Sequence, residues 1–166
     1  MEKLEQENTD MMARLKINGN KVEELKRQNA DQPKVAFSFG LTDSGQVGPF
    51  GTAITLKFSK VFINFGQVYN PKTGLFTAPV RGAYYFSFTT IDGRIDVYRD
   101  VYLYHNDKRV LDSHNYSTNS PEIVSNSLVL QLEKGDVVYL VLYAGSSVYD
   151  DTNDYTFFNG FLLFPL

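Results

Sequence analysis

The chain has 166 residues, is 43% hydrophobic, carries a formal net charge of −3 and contains no cysteine. This length predicts one domain with an appendage, and the lack of cysteine excludes disulfides, thiolate zinc sites and a cysteine nucleophile. Without an excess of positive charge the chain cannot attract phosphate backbones, so nucleic acid is not an expected partner.

The sequence leaves the cellular compartment open. No apolar run reaches the length of a transmembrane helix, so membrane insertion is not expected. The first residues, Met1 to Glu7, lack the apolar core of a signal peptide. Either the protein is cytosolic, or a signal has been removed from the chain.

The first 34 residues differ in composition from the rest. They contain 14 charged residues and no aromatic residue, whereas all 13 Phe and 11 Tyr lie after residue 34. Pro33 is expected to end a helix here, because proline cannot continue one. We therefore predict a helical stalk and linker over 1–34 and a globular head over 35–166.

A heptad register can be written along the predicted helix. Its seam positions are separated by alternating steps of three and four, as a coiled coil requires, and five of the eight are apolar. Asparagines occupy the remaining seam positions, and Gly19 adds a cost of about 1 kcal/mol. We interpret the segment as a short oligomerising stalk, and the alternative is a surface or frayed helix of one chain. The apolar seam residues are Leu4, Met11, Leu15, Val22 and Leu25.

The rest of the chain contains about ten short strand patterns separated by turn residues, and no convincing helix. This arrangement predicts an all-β sandwich of two sheets, of jelly-roll type. The run over 137–143 is nearly all apolar, so we expect a strand covered on both faces. Residues 41–51 and 144–154 are expected to be loops. The clearest strand patterns cover 35–39, 52–58, 61–69, 83–91, 97–105, 109–111, 123–132, 137–143 and 155–164.

The stretch from Phe58 to Phe88 is expected to organise the head. Its last part alternates, with Tyr84, Phe86 and Phe88 on one face, which is typical of a strand with a buried aromatic side. Asn70-Pro71 and Thr73-Gly74 supply turn residues just before this strand.

The same stretch resembles the C1q globular domain of the C1q/TNF superfamily. The family pattern has aromatic residues, one Asn or Asp and one Gly at fixed intervals, and flanking blocks such as Phe76-Thr-Ala-Pro-Val-Arg-Gly82 also match. The resemblance covers 35–166. The matching positions are Phe58, Asn64, Tyr69, Phe76, Gly82, Tyr84, Phe86 and Phe88.

The resemblance implies a ten-strand, TNF-like jelly roll that binds rather than catalyses. A short stalk without a collagen repeat is similar to cerebellin-like and fish-type complement C1q-like proteins. It also implies a secreted homotrimer, or a heterotrimer with paralogues, so we suspect a processed or truncated chain. Packing three heads around an axis would bury surface aromatics, and three outward faces would bind repeated ligands with avidity.

Two functions follow from the resemblance, and no residue separates them. The first is innate immune recognition of microbial or carbohydrate surfaces by a trimeric head. The alternative is a cerebellin-like extracellular signal or synapse organiser with a cell-surface protein receptor. An enzyme is not expected, since Asp112-Ser113-His114 contains triad residue types but sequence neighbours do not form a relay.

Two groups of oxygen-bearing side chains are candidate calcium sites, because calcium prefers six to eight oxygen ligands. Some relatives of the resembled family bind calcium in head loops. The alternative is two solvated loops, and no other cofactor is expected. The first group is Asp150, Asp151, Asn153 and Asp154, and the second is Asp92, Asp96 and Asp100.

Two further surface features are candidates for function. Asn115-Tyr116-Ser117 is a glycosylation acceptor if the protein is secreted. Four tyrosines could contact a ligand, since tyrosine combines contact area with a hydroxyl, although core or trimer contacts are the alternative. They are Tyr98, Tyr102, Tyr104 and Tyr149.

Overall fold

The computed structural model describes residues 1–94, 96–118 and 122–166. The chain divides into two compact units, Met1–Pro33 and Lys34–Leu166. Within the described residues, no helix combines the length and apolar character needed to cross a bilayer.

The first unit is one α-helix, α1, over Glu2–Asp31. It ends as expected before Pro33, because Gln32 adopts an extended conformation with φ −60° and ψ 129°. None of its residues is buried, and each apolar seam residue is at least 48% exposed. The helix therefore carries an uncovered apolar stripe, and pairing of that stripe with other copies stays a prediction.

The second unit is built from short strands. In chain order they are β1 Ala36–Gly40, β2 Gly45–Val47, β3 Ile54–Thr55, β4 Lys60–Phe65, β5 Tyr69–Asn70, β6 Leu75–Thr77, β7 Gly82–Asp92, β8 Val97–Tyr98, β9 Val101–His105, β10 Lys108–Ser113, β11 Tyr116–Ser117, β12 Glu122–Leu132, β13 Val137–Leu142, β14 Val148–Asp150 and β15 Phe157–Pro165.

The strands form two main sheets, as a jelly-roll sandwich requires. The first sheet has the order β2-β14-β7-β15-β1-β4, and β12 also pairs with β7. The second has the order β10-β9-β13-β6-β5, and β3 also pairs with β13. A two-stranded ribbon, β11-β8, completes the head. The predicted all-β fold is confirmed.

Aromatic rings from both sheets fill the space between them. Phe37 of β1 lies 4.9 Å from Phe158 of β15 and 5.3 Å from Phe76 of β6, measured between ring centroids. Phe76 in turn lies 5.1 Å from Phe86 of β7. All four rings are at most 2% exposed. Edge-to-face and offset contacts of this kind add to the free energy of burial.

The two non-aromatic residues of the family pattern have clear physical roles. The amide of Asn64 donates to the backbone oxygen of Tyr69 over 2.9 Å and accepts from its backbone N–H over 3.2 Å, which closes the turn between β4 and β5. A Cβ on Gly82 would lie 2.8 Å from the carbonyl oxygen of Phe164 and 2.6 Å from a methyl group of Leu162. Only glycine allows β15 to approach β7 this closely.

The predicted single strand over 61–69 is wrong. Gly66 and Gln67 have φ values of 78° and 50°, so the chain turns between β4 and β5. The loops predicted over 41–51 and 144–154 also contain strands, since β2 and β14 pair with Val47 opposite Val148. Short polar strands of this kind depend on their partner for pairing, which local sequence does not reveal.

The expectation that the strand over 137–143 is covered on both faces is also wrong. Val138, Leu140 and Leu142 are buried, but Tyr139 and Val141 between them are half-buried. The strand therefore has an inner aliphatic face and an outer face that carries tyrosine.

Candidate functional site

The outer face of the first sheet carries a row of apolar side chains that crosses five strands. Each member lies opposite the next across a ladder. Val129 is 56% exposed, Phe161 41% and Phe65 59%. A contiguous exposed apolar patch indicates an interaction site. This apolar row consists of Val129, Tyr85, Phe161, Ala36 and Phe65.

The neighbouring row on the same face contains four uncharged polar side chains and one isoleucine. The hydroxyl of Ser38 donates to Asn159 over 2.5 Å, so part of its hydrogen bonding is satisfied within the chain. Neither row contains a charged residue, which is typical of the buried centre of a protein interface. The members of the second row are Ser127, Ser87, Asn159, Ser38 and Ile63.

The structure does not bring the four predicted tyrosines together. Tyr102 and Tyr104 lie on the outer face of the second sheet. The ring of Tyr98 lies 4.7 Å from that of Tyr116 in the β11-β8 ribbon, and the hydroxyl of Tyr149 donates to Asp151 over 3.0 Å.

Sequence reasoning missed Tyr139 and Tyr143, which share the outer face with Tyr102 and Tyr104. The signal for them was the period of two along the run over 137–143.

Asp92, a predicted calcium ligand, lies at the end of β7 and is fully buried. Its carboxylate accepts hydrogen bonds from Gln46 and Arg94, each over 3.0 Å, and from the hydroxyl of Ser147. Burial would raise the pKa of this carboxyl, but the hydrogen bonds from Arg94, Ser147 and Gln46 outweigh burial and lower it to about 2.

The other two members of this group have different surroundings. A carboxylate oxygen of Asp100 lies 2.7 Å from Nδ1 of His114, and Asp100 is 8% exposed. Asp96 is exposed, with φ 57°. Of the three, the buried Asp92 is the one whose carboxylate accepts hydrogen bonds from several side chains of the same chain.

The carboxylates of the other candidate calcium group, at Asp150 and Asp151, also accept hydrogen bonds from within the chain. Asp150 accepts from the backbone N–H groups of Leu41 and Thr42, over 2.9 and 3.1 Å. Asp151 accepts from the backbone and the side chain of Asn153, over 2.8 and 2.9 Å. These bonds fix the loop between β14 and β15 without a metal ion.

Lys60 supplies the positive charge that this loop needs. Its ammonium pairs with Asp154, lies 2.7 Å from a carboxylate oxygen of Asp43 and donates to the carbonyl of Asp151 over 2.7 Å. Burial opposes the charge on Lys60, but the bonds to Asp154 and Asp43 outweigh burial and raise its pKa. Among the described residues, no group of three or more His, Cys, Asp or Glu side chains is arranged to hold a metal ion. Calcium binding stays a prediction.

The predicted glycosylation residue is held by its neighbours. The oxygen of Asn115 accepts from the buried guanidinium of Arg99 over 2.8 Å, and its nitrogen donates to Glu122 over 2.7 Å. A glycan on this nitrogen would have to displace Glu122. Glycosylation of Asn115 stays a prediction.

Comparison with protein families matches residues 36–163 to a model described as the C1q domain. The mouse complement C1q tumor necrosis factor-related protein 3 is 39% identical over 110 residues, which are 64% of this chain and 44% of that protein. The human complement C1q and tumor necrosis factor-related protein 9B is 33% identical over 137 residues, 80% of this chain and 39% of that protein. The chain spans about two fifths of the length of these relatives.

Solved structures show the same architecture. The globular domain of zebrafish complement 1qA matches with a TM-score of 0.63 and 26% identity, over 80% of this chain and 99% of that one. Murine APRIL matches with a TM-score of 0.62 and 7% identity, over 78% of this chain and 99% of that one, which shows a shared fold alone.

The first prediction concerns the charge on Asp92. Because its folded pKa lies below the ordinary value of 3.8, the ionised carboxylate stabilises the fold above that pH, and this stabilisation is lost as the pH falls towards 2. Replacing Asp92 with Asn should lower the free energy of unfolding by about 2 kcal/mol at pH 7. Urea unfolding at several pH values should show this difference shrinking in acid.

The control for this experiment is Asp107→Asn, which changes an exposed carboxylate. It should have little effect at any pH. A stability difference for Asp92→Asn that does not depend on pH would contradict the assigned role.

The second prediction concerns Lys60. Replacing Lys60 with Met leaves the carboxylates of Asp43 and Asp154 without their shared cation, and we expect the free energy of unfolding to fall. Lys57→Met is the matched control, because Lys57 is exposed.

Melting both variants and the wild type in EDTA and in millimolar CaCl2 tests the calcium prediction. Calcium should raise the Tm of Lys60→Met more than that of the wild type, since the ammonium no longer competes. Identical melting with and without calcium in every variant would remove the idea of a calcium site at this loop.

Proposed function

This chain belongs to the C1q domain family, and we propose that it acts as a secreted homotrimeric recognition protein that binds repeated ligands on microbial or carbohydrate surfaces. In this role it carries out no reaction of its own. The observation that carries the proposal is the apolar row on the outer face of the first sheet.

The apolar row is suited to assembly with copies of the same chain. Val129, Phe161 and Phe65 would each lose a large exposed apolar area on association, and burial of apolar area is the main favourable contribution to association. In a closed ring of copies, the apolar row of every chain would be covered by a neighbouring chain. The number three comes from the family to which the chain belongs.

The seam of α1 supports the same assembly. Five exposed apolar residues at heptad positions would pair with the same residues of other copies. Joining the stalks makes association of the heads a local event, which raises their effective concentration. The asparagines of the seam weaken the coil and favour one register.

Assembly also explains how a head with a weak individual site could recognise a target. Three copies of one weak site bind a repeated ligand far more tightly than one copy does. A polysaccharide or a microbial surface presents such repeats. The alternative function is that of an extracellular signalling ligand for a cell-surface protein receptor, either as a homotrimer or as a heterotrimer with paralogues.

The third prediction tests the assembly. Light scattering should give the full chain a mass of three chains of 18.8 kDa each. Replacing Phe161 with Asp would bury an unpaired charge in every interface, which costs several kcal/mol per ion, so the mass should fall towards that of one chain.

Tyr143→Asp is the control for charge, because Tyr143 is 51% exposed and lies on the other sheet's outer face. It should stay trimeric, and circular dichroism should show that both variants keep the β fold. A wild-type chain that remains a monomer at high concentration would contradict the proposal, as would a Phe161→Asp variant of unchanged mass.

A further inference from the structure

The outer face of the second sheet carries a different set of side chains, arranged in two rows. In one row Tyr104 of β9 lies opposite Tyr139 of β13, with Arg109 of β10 beyond Tyr104 and Leu75 of β6 beyond Tyr139. The members of the other row are Asp112, Tyr102, Val141 and Thr55.

Four tyrosines on this face form two ring pairs. The rings of Tyr104 and Tyr139 are 5.4 Å apart and nearly parallel, at 14°. The rings of Tyr102 and Tyr143 are 5.7 Å apart at 67°. We call Tyr102, Tyr104, Tyr139 and Tyr143 the tyrosine face.

The hydroxyls of the tyrosine face form no hydrogen bond with other described residues. The core tyrosines behave differently. The hydroxyl of Tyr69 accepts from the backbone N–H of Phe58 over 3.0 Å, and that of Tyr84 donates to the carbonyl of Val80 over 2.7 Å. Since a tyrosine inside a protein normally satisfies its hydroxyl, the unsatisfied hydroxyls here are available to a partner or to water.

The charges at the edge of the tyrosine face cancel. Arg109 and Asp112 pair over 3.0 Å, and the guanidinium of Arg109 lies 4.6 Å from the centre of the Tyr102 ring. Among the members of the two rows, Arg109 is the only cation and is already paired, so these rows do not favour a polyanion. A proline-rich peptide has few N–H donors, so the acceptor groups of the tyrosines and Asp112 would lose their hydrogen bonds to water without replacement.

We propose that the tyrosine face binds a neutral saccharide. Aromatic rings offer flat apolar area for the C–H faces of sugar rings, while the tyrosine hydroxyls, Arg109 and Asp112 exchange hydrogen bonds with sugar hydroxyls, which both donate and accept. The proposal deepens the recognition role proposed above and rests on it, because it names the surface and the ligand class.

The spacing of the ring pairs favours a chain of sugars over a single sugar. Tyr139 and Tyr143 are four residues apart, which corresponds to about 13 Å along an extended chain. Val141 lies between them on the same face. Tyr102 and Tyr104, the other members of the pairs, are two residues apart, which corresponds to about 7 Å, so the pairs offer two adjacent stacking positions along a chain of sugars.

The tyrosine face and the apolar row occupy the outer sides of opposite layers of the sandwich. Assembly through the apolar row therefore leaves the tyrosine face of each copy open. Three such faces would give an oligosaccharide-coated surface three points of attachment.

The test uses the full chain and two soluble neutral polysaccharides, laminarin and mannan, as probes in isothermal titration calorimetry, with heparin as an anionic comparison. We expect wild-type binding to at least one neutral probe. The Tyr104→Ser/Tyr139→Ser double variant should bind it about tenfold more weakly, which corresponds to the loss of two ring contacts.

Tyr116→Ser/Tyr155→Ser is the matched control, since it removes two exposed tyrosines elsewhere on the head. It should bind as the wild type does. If the first double variant fails to fold, Tyr143→Ser provides the same comparison at a residue that is 51% exposed.

Three results would overturn the proposal. The first is a wild-type chain that binds neither neutral polysaccharide, and the second is a wild-type chain that binds heparin alone. The third is a control variant that loses as much binding as the Tyr104→Ser/Tyr139→Ser variant. A chain that is trimeric by light scattering but binds no neutral polysaccharide would refute the saccharide site and leave the trimer standing. A monomeric chain that still binds through the tyrosine face would refute the trimer and leave the site standing.

Discussion

The head depends on β7 being paired along both of its edges. β12 lies along one edge for the full length of the strand and β15 lies along the other. This double pairing fixes the register of three strands at once and places Tyr84, Phe86 and Phe88 between the sheets. Once the interior is filled with rings at close packing, no room is left for the remaining aromatic residues. Several of them lie on the outer faces, where we propose that they determine what the head can bind.

The two outer faces differ in the chemistry of those residues. The first sheet presents phenylalanine and valine beside serine and asparagine, without a charge in the apolar row or its neighbour. The second presents tyrosines whose hydroxyls bond to no other residue in the described part of the chain, beside the ion pair of Arg109 and Asp112. An apolar surface is satisfied by a copy of itself, whereas a surface with many hydroxyls needs a partner that exchanges hydrogen bonds. This difference is why we assign assembly to one face and recognition to the other.

Local sequence predicts some parts of this structure and misses others for identifiable reasons. The turn from Asn70 to Gly74 and the long strand β7 depend on residues close in sequence, and both are predicted, whereas the turn closed by Asn64 is not. The apolar row is not predicted, because it joins residues from Ala36 to Phe161 through pairings that only the folded sheet reveals. The pairing of Lys60 with Asp154 is missed for the same reason, and the acidic loop alone suggests a metal.

The most direct test of this division is to measure side-chain accessibility in solution by hydroxyl-radical labelling and mass spectrometry. In the assembled wild-type protein, Phe65 should be oxidised much more slowly than in the Phe161→Asp variant. Tyr143 should be oxidised at the same rate in both. Equal oxidation of Phe65 in the two proteins, or protection of Tyr143 in the wild type alone, would contradict the account.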